Sequence, residues 1–209
     1  RVRAQKQADI SQNDHAIRVA LDAGSTRPLD MQRIKTIVVE ACSGHDDVDP
    51  NAILDEALKN LYDGVPHSEV NTSLVMTART MVEKDPNYSY VTARLLLDTI
   101  RAEALQFLGI TNAATQSEMQ DLYATALEHY IPRGIELELL SPELAKFDLA
   151  QLGQAIDASR DLQFGYLGVQ TLYDRYFIHK DDIRFELPQV FFMRVAMGLS
   201  IQEDDRNAR

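Results

Sequence analysis

The sequence predicts a mainly α-helical protein with one small β-hairpin close to its N-terminus. Apolar side chains recur at helical spacing through most of the chain, whereas the alternation typical of strands is confined to short stretches. Signals for helix starts, such as the Asp-Pro pair at 49–50 and the Ser-Pro pair at 141–142, precede several of the amphipathic runs. Together these patterns favour a helical fold.

Composition and charge exclude several classes of function. The 209 residues are 45% hydrophobic and 25% charged, as in ordinary globular proteins, and the formal net charge is -11. A nucleic-acid binder or a membrane-surface binder requires a basic face, so we expect neither kind of partner. The chain shows no signal peptide and no apolar run long enough to span a bilayer. We therefore expect a cytoplasmic protein.

The first elements are a hairpin and a helix. Residues 16–21 alternate apolar and polar side chains, and 27–29 can pair back on them after a turn at Gly24. Asp30 is a good N-cap for a helix whose apolar stripe continues to about Gly44.

Three more helices complete the first half. Asp49 followed by proline predicts a helix start, and this helix is expected to end at Gly64. Ser68 is expected to cap the third helix, and the fourth is predicted over 90–107. The hairpin and the four helices form one predicted unit.

The second half is predicted to be helical as well. Residues 117–131 are amphipathic, and 141–156 begin with a Ser cap, a Pro in the first turn and an acidic residue, so one helix is expected in each. Residues 176–187 are typical of a short hairpin around Lys-Asp-Asp. The stretch 187–201 is apolar on most sides, which predicts a buried helix.

The chain carries no residue pattern typical of a catalytic or metal site. None of the five histidines pairs with another at helical metal-ligand spacing or neighbours a cysteine, so we expect no metal. The single cysteine, Cys42, lies in an apolar helical stretch and is interpreted as a buried structural thiol. We expect no catalytic residue here.

One turn allows two interpretations. The Gly-Ser-Thr at 24–26 could present backbone N–H groups to a phosphate, or it could be a plain hairpin turn. It lacks the lysine and the further glycines of the known phosphate-binding loops, and Pro28 removes one backbone donor. The turn's own residues leave the choice open.

Three longer stretches carry a family resemblance. They read DPNYSYVTARLLL (85–97), SRDLQFGYLGVQTLYDRYF (159–177) and PQVFFMRVAMGL (188–199). With the hairpin and the helices around them, they resemble the N-terminal region of the large (alpha) subunit of class I ribonucleotide reductase. In that family an ATP-cone, a four-helix unit capped by a β-hairpin, precedes a helical segment that leads into a ten-stranded catalytic barrel.

The resemblance divides the chain into three parts. Residues 1–15 would be a linker or the end of a preceding helix, and 16–108 would be the ATP-cone. Residues 109–209 would be the helical start of the catalytic domain. The barrel, which holds the family's catalytic residues, is absent from this sequence.

The positions that contact nucleotide in the family's cones are largely replaced here. The hairpin of a cone carries a Lys-Arg pair before Asp-Gly, and Leu21 and Asp22 stand in those two places. An apolar residue and an anion should repel a triphosphate that two cations would hold. A Thr and a His that face the nucleotide correspond to His67 and Asn71.

A few polar positions of the cone remain. A later Lys corresponds to Ala102, directly after Arg101, while Arg33 stays basic and Asp30 stays polar. The resemblance thus implies a degenerate cone with no nucleotide expected to bind, and Asp30, Arg33 and Arg101 are the residual candidates for nucleotide contacts. No cofactor is expected in this part of the protein.

The resemblance also implies the setting in which the chain works. Some alpha subunits carry two cones in tandem, the second inert, and the basic start of this chain (1–7) suits the exit from a first, functional cone. The whole enzyme would reduce ribonucleoside diphosphates to deoxyribonucleotides. Its partners would be the rest of the alpha chain, further alpha subunits, and a small di-metal subunit (beta) that delivers a radical.

Two alternatives remain at this point. The cone could be a working ATP or dATP sensor whose phosphates are held by Arg33, Lys35 or Arg101. The chain could also be a separate helical regulator, such as a transcriptional repressor built on a cone. Such a repressor needs a zinc ribbon or another basic DNA-binding part, and the sequence contains neither.

Overall fold

The computed structural model describes residues 17–20, 25–205 and 207. These residues form two compact units, Arg1–Leu95 and Leu96–Arg209 as divided along the chain, and each is described by itself below. Most of the described residues are helical, as the sequence predicts. None of the described helices is long and apolar enough to cross a membrane.

The N-terminal hairpin is confirmed. Strand β1 (Arg18–Ala20) pairs antiparallel with β2 (Thr26–Pro28), and Val19 lies opposite Arg27. The side chain of Val19 is fully buried, while β2 is exposed along its whole length. The turn that joins the strands, residues 21–24, lies outside the described residues, as does the predicted linker 1–15.

A third strand joins this hairpin. Strand β3 (Val65–Pro66) runs parallel to β1, which gives the sheet order β2-β1-β3. Strand β3 was not predicted from the sequence, because a two-residue strand has no alternation to detect. This strand also ends the preceding loop, where Gly64 takes a φ of +80° and its N–H donates to the Arg18 carbonyl oxygen at 2.9 Å.

Two helices of the first unit start where the sequence predicts. Helix α1 (Met31–Cys42) has Asp30 as its N-cap, with the carboxylate accepting from the Arg33 N–H at 2.9 Å. Helix α2 (Pro50–Lys59) starts after Asp49, whose carboxylate accepts from the Asn51 N–H at 2.8 Å. The expected end of α2 at Gly64 is wrong, because the chain leaves the helix after Lys59 to reach β3.

The third and fourth helices start earlier than predicted. Helix α3 (His67–Thr80) follows β3 directly, so its N-cap is Pro66 and the predicted cap Ser68 lies inside the first turn. Helix α4 starts at Tyr88 instead of Tyr90 and ends at Phe107 as predicted. The division between the two units falls inside α4.

The second unit is built from helices and one short hairpin. Its α-helices and strands are, in chain order, α5 (Met119–Glu136), α6 (Leu149–Gln154), α7 (Tyr166–Arg175), β4 (His179–Lys180), β5 (Ile183–Arg184) and α8 (Pro188–Leu199). The antiparallel pairing of β4 with β5 confirms the predicted hairpin. Its core includes the fully buried rings of Tyr123, Tyr130 and Phe185.

Two predictions for the second unit are wrong. The single helix expected over 141–156 is a 3-10 segment (Pro142–Lys146) followed by α6, because Phe147 is buried in extended conformation and Asp148 caps a new helix. The closing helix α8 is in place but is buried on one side only: Val190 and Met197 are buried, whereas Phe192 and Leu199 are 47% and 80% exposed.

Candidate functional site

The strand register of the first unit determines where a cone's nucleotide site would lie. Ala20, the last residue of β1, pairs with Pro66, the N-cap of α3. The end of β1 therefore lies next to the N-terminus of α3. No side chain caps that N-terminus. Its first-turn N–H groups and the helix dipole are the features that favour a bound anion.

Two acidic side chains, Asp63 and Glu69, lie within three residues of Pro66, the N-cap of α3. Glu69 lies in the first turn of α3, where a carboxylate itself complements the helix dipole, and the Tyr62 hydroxyl donates to it at 3.5 Å. Asp63 accepts from the Arg18 N–H at 2.9 Å. A phosphate at this place would be repelled by both carboxylates.

Arg18, on the strand that pairs with β3, makes its side-chain bonds within the sheet. The Arg18 guanidinium donates from Nε to the Thr26 hydroxyl and from Nη2 to the Thr26 carbonyl oxygen, both at 3.0 Å. These bonds fasten β1 to β2. Arg18 thus stabilises the hairpin, and its guanidinium is already hydrogen-bonded to Thr26.

Of the residues that replace the family's nucleotide contacts, two lie on α3. His67 and Asn71 are one turn apart on α3, His67 exposed and Asn71 half-buried. Leu21 and Asp22, the replacements for the basic pair, lie outside the described residues. They follow Ala20 directly in the chain, next to the residue pair that joins β1 to α3.

The residual candidates Asp30 and Arg33 lie at the start of α1. The carboxylate of Asp30 caps the helix, so its charge already serves the first-turn N–H groups. Arg33 is half-buried in that first turn.

Arg101, the third residual candidate, belongs to the second unit and is 4% exposed. Its guanidinium donates from Nε to the Ala114 carbonyl oxygen at 3.1 Å and from Nη1 to the Gln116 side chain at 2.9 Å. Its Nη2 atom lies 3.4 Å from the Asp98 carboxylate. These bonds tie α4 to the segment before α5. Arg101 therefore has a structural role.

The structure gives Cys42 a buried position at the end of α1. Burial raises the pKa of its thiol to about 11, although the nearby Arg94 charge acts in the opposite direction. Such a thiol is protonated at neutral pH and is a weak nucleophile. Across the part of the chain that the structure describes, no group of His, Cys, Asp and Glu side chains could hold a metal ion.

Arg94 is a feature that the sequence analysis missed. Its Nη1 donates to the carbonyl oxygens of Ala41 and Ser43 at 2.9 and 2.7 Å, and so satisfies the C-terminus of α1. The partners are 53 and 51 residues away in sequence, so no local pattern could have indicated them.

Comparison with known proteins agrees with this architecture. The family profile of the ATP cone domain matches residues 18–103, and that of the ribonucleotide reductase all-alpha domain matches residues 162–209. The cone match covers the sheet and all helices of the first unit. The all-alpha match covers α7, the β4-β5 hairpin and α8.

The curated relatives of this chain are alpha subunits of ribonucleoside-diphosphate reductases. The alpha subunit of ribonucleoside-diphosphate reductase from Chlamydia muridarum is 42% identical over 185 residues, which are 88% of this chain and 17% of the relative. The corresponding subunit from Chlamydia trachomatis is 38% identical over the whole chain and 20% of the relative, and that from Helicobacter pylori is 31% identical over 88% and 22%. The chain spans about a fifth of the length of these relatives. It belongs to the family of ribonucleotide reductase alpha subunits, of which it contains an ATP cone and residues of the all-alpha domain.

Proposed function

We propose that these residues form part of the alpha subunit of a ribonucleoside-diphosphate reductase and that their ATP cone binds neither ATP nor dATP. The observation that carries the second half of this proposal is the charge around the start of α3. Asp63 and Glu69 lie there, and Leu21 and Asp22 replace the basic pair of the family's cones.

A cone that holds a triphosphate differs from this one in the cationic side chains available to the phosphates. Cationic side chains that donate charge-assisted hydrogen bonds offset the loss of phosphate hydration. Here the sequence supplies Asp22 in one of those places, and the Arg18 guanidinium already bonds Thr26. The N–H groups at the start of α3 alone cannot offset the repulsion from the carboxylates.

The cone then serves as a scaffold and a contact domain. Its helices keep the caps and the buried stripes of a stable domain, with Ile53, Val70 and Val91 almost fully buried. We place nucleotide sensing in a neighbouring cone of the same subunit, and catalysis, the reduction of ribonucleoside diphosphates, in the barrel. Further alpha subunits and a radical-delivering beta subunit would be the partners, and the cytoplasm the location.

Calorimetric titration of the protein with ATP and with dATP tests the inert cone. We expect no saturable heat from either nucleotide. Micromolar binding that is lost in Arg33→Ala but kept in Lys35→Ala would overturn the proposal. That result would identify the alternative, a working sensor whose phosphate is held at the start of α1.

A further inference from the structure

A groove of about 690 Å³ lies between helices α2 and α3 of the first unit. It follows α3 from Glu69 to Thr80, which is about 16 Å at 1.5 Å per residue. Its volume is in the range of small-molecule sites, and its form is elongated. We call it the α2–α3 groove, and its sides are formed by Glu56 and Asn60 at the end of α2 and by Glu69, Thr72, Met76 and Thr80 on α3.

This groove is separate from the place where a cone's nucleotide would lie. His67 and Asn71, which stand at two nucleotide-facing positions of the family's cones, are not among its described lining residues. A ligand of the α2–α3 groove therefore needs its own chemical argument.

The hydroxyl groups of the groove have already donated their hydrogens to the backbone. Thr72 and Thr80 donate to carbonyl oxygens of their own helix at 3.0 and 2.8 Å. Ser73 donates across to the Ala57 carbonyl oxygen on α2 at 3.2 Å. A hydroxyl whose hydrogen is engaged offers a ligand only its lone pairs. The ligand must therefore supply the hydrogen-bond donors.

The charge of the groove is negative. Glu56 and Glu69 are the charged side chains among its described lining residues, and both are carboxylates. Glu56 pairs with Lys59 at 3.0 Å, but both side chains are more than half exposed, so the pair is weak and another cation can replace the lysine. An anionic ligand would be repelled, whereas a cation that carries N–H groups would be held.

The rest of the lining is largely aliphatic. Leu61 and Val65 are 5% and 1% exposed, and Met76 is 45% exposed. Methylene groups laid against these side chains would leave water, which favours binding. The described lining contains no aromatic ring on which a base or another planar ligand could stack.

We propose that the α2–α3 groove binds a linear aliphatic polyamine. Its ammonium groups donate to the carboxylates of Glu56 and Glu69 and to the hydroxyl oxygens, and its methylene segments cover Leu61, Val65 and Met76. Such a molecule combines positive charge, N–H donors and an extended apolar chain. A lysine side chain of another protein is the competing occupant, but its one ammonium group serves only one of the two carboxylates.

Calorimetric titration of the full-length gene product with spermidine, in the absence of nucleotide, tests the proposal. We expect saturable binding. The double variant Glu56→Gln and Glu69→Gln should weaken it by about tenfold, since each ion pair at an exposed carboxylate contributes little alone. The matched control, Asp46→Asn with Asp47→Asn, removes the same charge in an exposed turn and should change the affinity by less than about twofold.

A methyl NMR signal locates the bound molecule. Met76 lies on the side of the groove, and Met193 lies on α8 in the second unit. Adding spermidine should shift the Met76 methyl signal, assigned with Met76→Leu, and should leave that of Met193 in place.

Four results would overturn the proposal. Absence of saturable heat would mean that the groove binds no polyamine, and equal weakening in the control variant would assign binding to the overall net charge. An unchanged Met76 signal would place the ligand elsewhere. N-acetyl-lysine amide binding as tightly as spermidine would identify a site for a lysine side chain. None of these measurements uses ATP or ribonucleotide reduction, so failure of the proposed function is seen separately.

Discussion

Ala20 at the end of β1 lies opposite Pro66, the residue from which α3 starts. This pairing joins residues far apart in sequence and brings the end of β1 to the N-terminus of a helix. The arrangement is suited to an anion, but the side chains added by the sequence are acidic. On this ground we propose that the first unit keeps the backbone geometry of a nucleotide site but lacks the charge to hold a nucleotide.

Restoring the basic pair of the hairpin should restore the affinity of the cone for ATP. In the double variant Leu21→Lys and Asp22→Arg, two cations follow Ala20 directly, and we expect saturable binding of ATP by calorimetry. The matched control is Asp46→Asn with Asp47→Arg, which changes the net charge by the same amount in an exposed turn. Binding by the control as well would assign the effect to overall charge, and binding by neither would mean that other contacts of the cone are also lost.

The buried carboxylate of Glu186 gives a prediction on stability. Tyr130→Phe removes one of its hydrogen-bond donors and leaves Arg194 and the Ile178 N–H. Because the lost bond is made to a buried charged group, the free energy of unfolding should fall by about 1–3 kcal/mol. Urea denaturation followed by circular dichroism measures this.

The control for this prediction is another tyrosine of the second unit. Tyr176 is 56% exposed, so Tyr176→Phe should change stability by less than about 0.5 kcal/mol. Equal effects of the two substitutions would show that the bond between Tyr130 and Glu186 contributes nothing.

Local signals in the sequence were sufficient for the starts of α1 and α2. Asp30 and Asp49 cap helices as predicted, because a cap depends on side chains within three residues of it. Ser68 failed as a cap because the pairing of Ala20 with Pro66 starts the helix earlier. Periodicity also predicted the closing helix, but the exposure of Leu199 depends on which elements are present to cover it.

Less of the candidate site than of the helices could be predicted from the sequence. The resemblance located the cone, and the family profile confirms it. The contact of Asp63 with β1 follows from the parallel pairing of β3, which has no sequence signal. The bonds of Arg101 to Ala114 and Gln116 likewise follow from tertiary packing, so the residue's identity gave no hint of them.

His45 should make stability depend on pH. Its ring stacks on Tyr90 with centroids 5.4 Å apart, and burial together with the Arg94 charge lowers its pKa from the ordinary value of 6.5. Since the folded state then binds fewer protons than the unfolded state, stability falls as pH drops through 6.5 toward the folded pKa. His45→Phe keeps an aromatic ring and should reduce this loss.

Urea denaturation at a series of pH values measures that effect. The same series on His179→Phe, at an exposed strand position, shows how much any histidine replacement changes the profile. Identical profiles for the wild type and His45→Phe would contradict a role for His45.

Two glycine substitutions, in α6 and in α8, should change the stability of the protein in opposite directions. A Cβ added at Gly153 would lie 2.8 Å from the Cα and 3.0 Å from the Cβ of Ala124, a backbone contact that cannot move aside. Gly153→Ala should therefore destabilise the protein by about 1–3 kcal/mol, the usual range for overpacking. At Gly198 in α8 the same substitution meets nothing within 4 Å among the described atoms, and replacing a helical glycine should stabilise by about 0.5–1 kcal/mol. Opposite shifts in the midpoint of urea denaturation are expected. An unchanged or higher midpoint for Gly153→Ala would mean that α5 and α6 separate easily enough to admit a methyl group, and a lower midpoint for Gly198→Ala would contradict the open space at that position.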